Sequence, residues 1–224
     1  KGKLVDRNAP IRVKTCGRAL KHTVHLDKVK AEQFVLPIGK KKTHVIGINP
    51  SQITTEDLAV SLQPVANYVP TDGYSKVAAV ERHHNTGKIG VAVAKGYGIR
   101  NGAVASSVSH DSHNIIVIGD NDRDMALAVD EIIRTQGGYT VVENGEVFET
   151  LPLPIMGLMS DAGFESVNET LGRMIKKAHE MGVPADIEPF ITLSFLALPV
   201  IPTLRITPRG LCLLTAKGPE ILQE

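Results

Sequence analysis

Short apolar runs, each bounded by turn residues, occur along the first half of the chain and predict β-strands. Valine, isoleucine and alanine make up most of these runs, and each run is too short for a typical helix. Glycine, asparagine or proline follows several of them, as expected where strands end. The five runs are His44–Ile48, Val77–Val80, Ile89–Ala94, Ala103–Val108 and Ile115–Ile118.

Two longer segments carry apolar residues at helical spacing. The first begins after Asp120 or Asp122, either of which can cap a helix, and ends at Gly137. The second is predicted from about Phe164 to Met181 and has a single apolar stripe. A third segment, Phe190–Ile201, is apolar almost throughout, and periodicity does not decide whether it is a buried strand or a buried helix.

A β-hairpin is predicted between the two periodic helices. Tyr139–Val142 and Val147–Leu151 flank an Asn-Gly pair at Asn144–Gly145, which suits the type I′ turn. Earlier in the chain, Thr54 or Thr55 is expected to cap a short helical turn. The order of strands, helix and hairpin indicates an α+β fold, with a mixed β-sheet covered by helices.

Residues 1–42 have a weaker pattern than the rest of the chain and are predicted to be a separate segment. The opening KGKLVD is typical of the end of a β-hairpin and predicts a short N-terminal β segment. Lys40–Lys42 form a basic run, which without interleaved aromatic residues indicates a solvated loop rather than a nucleic-acid site. We therefore predict a domain boundary between residues 42 and 43, with one domain over 43–224.

Composition narrows the class of protein. The chain is 42% hydrophobic and 22% charged with a formal net charge of +1, which fits a globular protein and favours neither nucleic acid nor a membrane as partner. Cys16 and Cys212 have no metal-finger spacing; two reduced thiols are favoured over one disulfide. No signal peptide is predicted, the absent initiator Met suggests a fragment or processed chain, and the expected location is the cytoplasm.

The densest group of chemically capable side chains is His110, Asp111, His113 and Asn114. The HxxH spacing can chelate a metal on a turn, and a histidine beside a carboxylate can also transfer protons or line a pocket near neutral pH. We prefer proton handling or pocket lining to metal ligation. A purely structural turn, in which Asp and Asn bond the backbone, is an equal alternative.

A second polar group follows the Val77–Val80 run: Glu81, Arg82, His83 and His84. Glu81 and His83 are candidate binding residues, although ion-paired and solvated side chains at a strand end are the commoner explanation. If the strands that carry the two groups were neighbours, both groups would meet at one edge of the sheet. No metal site is predicted from either group, and no cofactor is expected in this chain.

Three stretches of the sequence resemble a known family. They are VERHHNTGKIGVAVAKGYGIRNGAVASSVSHDSHNIIVIGDNDRDMALAV, PLPIMGLMSD and PFITLSFLALPVIP. Together they are similar to the C-terminal region of bacterial adenine deaminases, members of the amidohydrolase superfamily, from about Thr43 to Leu214.

The resemblance implies an enzyme that hydrolyses adenine to hypoxanthine and ammonia, with Mn or Fe bound in a (β/α)8 barrel that precedes residue 1. This sequence contains no HxH, the ligand pair of that barrel, so no catalytic metal ligand is carried over. The implied partners are the barrel domain, adenine in the full enzyme and further copies in a homo-oligomer.

Two alternatives stay open. One is a non-catalytic module that binds a purine or serves as an oligomerisation scaffold. The other is an independent metallohydrolase that uses the HxxH together with Glu81 or Asp111.

Overall fold

The computed structural model describes residues 20–71 and 73–222 of the chain. Within them are eleven β-strands, three α-helices and one short 3-10 helix at Ala31–Phe34. The strands are β1 (Thr43–Ile48), β2 (Thr55–Val60), β3 (Tyr74–Val80), β4 (Ile89–Lys95), β5 (Gly102–Ser106), β6 (Ile115–Gly119), β7 (Gly138–Glu143), β8 (Glu146–Pro152), β9 (Leu204–Thr207), β10 (Gly210–Thr215) and β11 (Gly218–Ile221). The helices are α1 (Asp122–Thr135), α2 (Phe164–Glu180) and α3 (Pro189–Leu196).

Eight strands form one sheet in the order β2-β1-β4-β3-β6-β5-β7-β8. All neighbours are antiparallel except β1 and β4, which run parallel, so the sheet is mixed. The strands β9, β10 and β11 form a separate antiparallel sheet. The predicted α+β class and the mixed sheet are confirmed.

The two faces of the large sheet carry separate hydrophobic layers. On one face, Met125, Val129 and Ile132 of α1 pack on the strands. On the other face, α2, α3 and the three-stranded sheet share one larger core that includes Phe190 and Leu204. We call these faces the α1 side and the α3 side.

Several predicted elements are confirmed. The five apolar runs are all strands, and α1 and α2 occupy the segments with helical spacing. The hairpin of β7 and β8 turns at Asn144 and Gly145, whose φ angles of 53° and 81° match a turn that needs positive φ at both positions. The apolar segment of undecided structure begins as α3, with Glu188 accepting a hydrogen bond from the Ile191 N–H at its start.

Other expectations were wrong. Thr55 does not cap a helical turn but begins β2, an edge strand paired antiparallel with β1 from Ile48 back to Thr43. The cap of α1 is Asn121, whose side chain accepts a hydrogen bond from the Asp124 N–H; it is neither Asp120 nor Asp122. The strands β9 to β11 were not anticipated.

The segment before β1 packs against the large sheet. Val24 and Phe34 are buried in the α1-side core. Buried Lys76 donates hydrogen bonds to the Phe34 carbonyl (3.0 Å) and to Asp122 Oδ1 (2.6 Å), and so ties this segment to the start of α1. The side chains of 40–42 are exposed, and the boundary at 42/43 stays a prediction.

The predicted β segment in KGKLVD and the residue Cys16 lie outside the described residues. Cys212 is a buried free thiol. No helix among the described residues combines the length and the apolar character needed to cross a bilayer.

Candidate functional site

The two polar groups meet because the strands that carry them are neighbours. Val80, the last residue of β3, pairs with Ile115, the first residue of β6, although β4 and β5 separate them in sequence. The loops that follow β3 and precede β6 therefore leave the sheet at the same edge. We call this the loop edge; it comprises residues 20–25, 81–88, 107–114 and 153–163.

Arg82 holds the loop edge together. Its guanidinium donates to the carbonyls of His113, Thr23 (3.2 Å) and Met156 (3.0 Å), which belong to three different loops. Close approach to Gly157 makes this possible, since a Cβ there would lie 2.5 Å from Arg82 Nη1. The interpretation of Arg82 as an ion-paired, solvated residue was wrong, because it is 2% exposed.

Arg82 is a buried cation whose hydrogen-bond acceptors are all neutral. Among the described residues it has no carboxylate partner, and desolvation lowers the pKa of its guanidinium to about 10. At pH 7 the side chain is still charged. A fixed positive charge therefore lies directly behind the His113 backbone.

His110 and His113 stand side by side on the turn before β6. Their ring centroids are 5.5 Å apart, and the His110 ring also lies 5.1 Å from the ring of Phe195 in α3. The His110 N–H donates to the Ser194 carbonyl at 2.9 Å, which attaches the turn to α3. Both candidate histidines are therefore held by packing rather than by a solvated loop.

His113 is held in one tautomer. The Ser109 N–H donates to His113 Nδ1 at 3.3 Å, so the neutral ring carries its proton on Nε2. Desolvation, followed by the charges of His110 and Arg82, lowers the pKa of His113. Near neutral pH this side chain is thus a neutral N–H donor, and its imidazolium form is disfavoured.

The other candidates have different roles in the geometry. Asn114 is buried and structural: its Oδ1 accepts from the Arg82 N–H at 3.2 Å. His83 Nε2 donates to the Ser112 carbonyl at 2.7 Å and so joins the two loops. Asp111 is 85% exposed at its side chain, with Oδ1 3.9 Å from His110 Nδ1.

Glu81 closes its own loop. Its carboxylate accepts the backbone N–H groups of His83, His84 and Thr86 and the Thr86 hydroxyl. Desolvation alone would raise the pKa of Glu81, but these hydrogen bonds outweigh it and the pKa is lowered. A carboxylate committed in this way is a poor metal ligand or general base.

The metal interpretation of the HxxH receives no support from the geometry. In the part of the chain that the structure describes, no group of three or more His, Cys, Asp or Glu side chains is placed to hold a metal ion. What the turn offers instead is a neutral imidazole donor, His113, a second imidazole, His110, and the exposed carboxylate of Asp111.

A groove of about 290 Å³ opens beside this turn. Asp111, Ser112, Asn114 and Thr207 are its polar lining residues, and the other lining residues are apolar. The apolar residues are Ala79, Ala197, Leu198, Pro199, Val200, Ile206 and Pro208. Sequence reasoning did not find this groove, because its apolar wall follows α3 and borders β9, a strand that was not anticipated.

Comparisons with known proteins bear on the family of this chain. The family model described as the adenine deaminase C-terminal domain matches residues 52–217. An adenine deaminase of Desulfitobacterium hafniense is 50% identical over 213 residues, covering 94% of this chain and 37% of that protein. One from Nitratidesulfovibrio vulgaris is 46% identical over 216 residues, covering 94% and 38%.

A third relative, an adenine deaminase of Clostridium acetobutylicum, is 42% identical over 193 residues, covering 84% of this chain and 34% of that protein. The chain therefore spans little more than a third of the length of these relatives. The family model covers most of the chain, including the whole of the HxxH turn and the strands around it. This chain belongs to the adenine deaminase C-terminal domain family.

Proposed function

We propose that this chain is the C-terminal domain of an enzyme that hydrolyses adenine to hypoxanthine and ammonia. The observation that carries the proposal is the match of residues 52–217 to the family, together with 50% identity to a protein named adenine deaminase. The cytoplasm remains the predicted location.

We place the metal centre of that enzyme outside this chain. The resemblance implies Mn or Fe in a preceding barrel domain, where a bound metal would activate water for attack on the purine. No residue of this chain is assigned as a ligand, in line with the sequence, which contains no HxH.

The role proposed for the loop edge is to face that barrel domain. The two polar groups meet at this edge, since β3 lies beside β6, and Arg82 also joins the loop of Thr23 to it (3.2 Å). His110 and His113 would then lie at the mouth of the pocket or in the interface, with His113 as a neutral N–H donor.

The first test is adenine deamination by the purified 224-residue chain with added Mn²⁺ or Fe²⁺, beside the full-length enzyme. We expect ammonia release from the full-length enzyme alone. Metal-dependent turnover by the chain, lost on His110→Ala or His113→Ala, would instead make the turn a self-sufficient active site.

The second test changes the two histidines in the full-length enzyme. We expect His113→Ala to lower kcat/KM for adenine by about tenfold or more, because a positioned proton donor is removed. His44→Ala is the matched control, since His44 pairs with Asp57 across β1 and β2, away from the loop edge. If His110→Ala and His113→Ala left both kcat/KM and assembly unchanged, the proposed role of the turn would be wrong.

A second candidate function is a non-catalytic purine-binding module, favoured by the groove of about 290 Å³ beside Asp111. A pocket of this size with mainly apolar walls can accept a small heterocycle. Calorimetric titration of the chain with adenine and hypoxanthine tests it, with Asp111→Asn as the matched variant. Binding that weakens in the variant would support this candidate, and absence of heat at millimolar purine would remove it.

A further inference from the structure

Helix α3 carries apolar residues on every side, with Thr192 and Ser194 as its two polar side chains. Leu193 and Leu196 face the core and are 0% and 3% exposed, whereas Ile191 is 56% exposed and Phe195 is half-buried. A helix without a polar face is normally covered all round. The described residues cover one side of α3 and leave Ile191 exposed on the outer side.

The uncovered surface extends beyond the helix. Val200, just after α3, is 64% exposed. We call Ile191, Phe195 and Val200 the apolar ridge. On one side of it lies the groove of about 290 Å³ that Val200 and Asp111 line; on the other lies a groove of about 270 Å³ that Ile191 and Phe195 line. A ridge between two grooves is a shape that interlocks with the side chains of another folded body.

The charged residues that line the two grooves are all acidic. Asp111 lines the first groove, and Asp186 and Glu188 line the second. Among the described residues, no lysine or arginine lines either of them. A complementary surface would be apolar at its centre, with lysine or arginine at its margin.

The length of the relatives indicates the occupant. On the loop edge, Arg82 bonds to the turn that contains His110. His110 in turn contacts Phe195 of the ridge. The loop edge and the ridge are thus one continuous surface. The relatives are nearly three times as long as the matched region, and the family is a C-terminal domain, so most of each relative precedes it.

We propose that the apolar ridge is the docking surface for the part of the full-length enzyme that precedes this chain. The proposal rests on the function proposed above and adds the surface, the occupant and its chemistry. It accounts for the apolar side chains of Ile191 and Val200, which the described residues leave exposed.

A photo-crosslink in the full-length enzyme tests it. Ile191 is replaced with p-benzoylphenylalanine, and Val69 is replaced in a matched control; Val69 is 68% exposed and follows Tyr68, which belongs to a hydrophobic cluster separate from that of α3. We expect a crosslink from position 191 to a residue that precedes Lys1 in the same polypeptide, identified by mass spectrometry. A crosslink within this chain, a crosslink to a second copy, or a yield no higher than at position 69 would overturn the proposal.

A matched pair of substitutions gives a second readout in the same protein. We expect Ile191→Asp to speed limited trypsin digestion of the full-length enzyme by about tenfold, because docking closes sites that the variant opens. Val69→Asp should change the rate less than about twofold. Equal rates for the two variants would contradict docking at the ridge.

Adenine deamination measured on the same preparations separates the two proposals. An enzyme that deaminates adenine without the crosslink contradicts only the docking surface. A protein that crosslinks as expected without deaminating adenine contradicts only the proposed activity.

Discussion

Helices α1 and α3, on opposite sides of the large sheet, differ in the kind of residue that they expose to solvent. On the α1 side, Met125, Val129 and Ile132 are 0% exposed, while charged residues such as Arg123 and Arg134 face outwards. On the α3 side, the helix that contacts the candidate site is apolar both inwards and outwards. The outer face of α1 is thus charged, whereas the outer face of α3 carries the exposed apolar residues that we propose another domain covers.

The largest expected effect comes from replacing one isoleucine with alanine on each side. We expect Ile132→Ala in α1 to lower the free energy of unfolding by about 2 to 5 kcal/mol, since a fully buried side chain leaves a cavity. Ile191→Ala in α3 should cost less than about 1 kcal/mol in the 224-residue chain, because that side chain is 56% exposed. Urea denaturation of each variant measures both values.

The control is to make Ile132→Ala and Ile191→Ala in the full-length enzyme as well. If another domain covers the ridge, the cost of Ile191→Ala should rise there, while the cost of Ile132→Ala should stay the same. An Ile191→Ala cost that is as small in the full-length enzyme as in the chain would mean that α3 stays exposed, and the two sides would then differ only in composition.

Helices α1 and α2 could be predicted from sequence, and α3 could not. The α1 apolar stripe and its polar outer face give a clear helical period, and α2 does the same. Pro189–Leu196 gives no period, because apolar residues occupy every side of the helix. The edge strand Thr55–Val60 was mistaken for a helical turn because its acidic residues resemble a helix start, while its pairing with β1 is set by tertiary structure.

At the candidate site, the side chains could be predicted but their connections could not. The HxxH turn and the group at Glu81 were identified from residue types, and their meeting depended on β3 lying beside β6. Arg82 donates hydrogen bonds to the main-chain carbonyls of three loops. Every residue has such a carbonyl, so the sequence does not indicate which of them Arg82 will contact. The adjacent Glu81 instead suggested an ion pair, which the structure does not show for Arg82 among the described residues.

Arg82 also connects the two sides, and changing it tests whether they act as one unit. We expect Arg82→Lys to lower the free energy of unfolding by about 2 to 3 kcal/mol, because an ammonium lacks the fork that reaches three loops and leaves buried carbonyls unpaired. Hydrogen exchange should rise together at Val24 on the α1 side and at His113 near α3. The control is the exposed Arg123→Lys, expected to change stability by less than about 0.5 kcal/mol. Faster exchange at only one of the two loops would show that the sides are independent.

The smallest expected effect concerns one carboxylate on each side, whose pKa values move in opposite directions. On α1, hydrogen bonding from Arg134 lowers the pKa of Glu131 below 4.5 despite desolvation, with Thr150 also contributing. The unfolded chain then binds more protons, so this stabilisation is present above about pH 4.5 and is lost as pH falls through the folded pKa. At the start of α3, desolvation raises the pKa of Glu188 above 4.5, although the N–H groups of Ile191 and Phe190 oppose it.

For Glu188 the sign reverses, because the folded chain binds more protons than the unfolded one. The stabilisation from its protonated form is present below about pH 4.5 and is lost as pH rises through the raised folded pKa. At pH 7 we therefore expect Glu188→Gln to leave stability unchanged or raise it by up to about 1 kcal/mol, and Glu131→Gln to lower it by roughly 1 kcal/mol. Urea denaturation of both variants between pH 4 and pH 8 checks this, since the two differences from the unmodified chain should have opposite signs. Two differences of the same sign would contradict the opposite environments assigned to the two carboxylates.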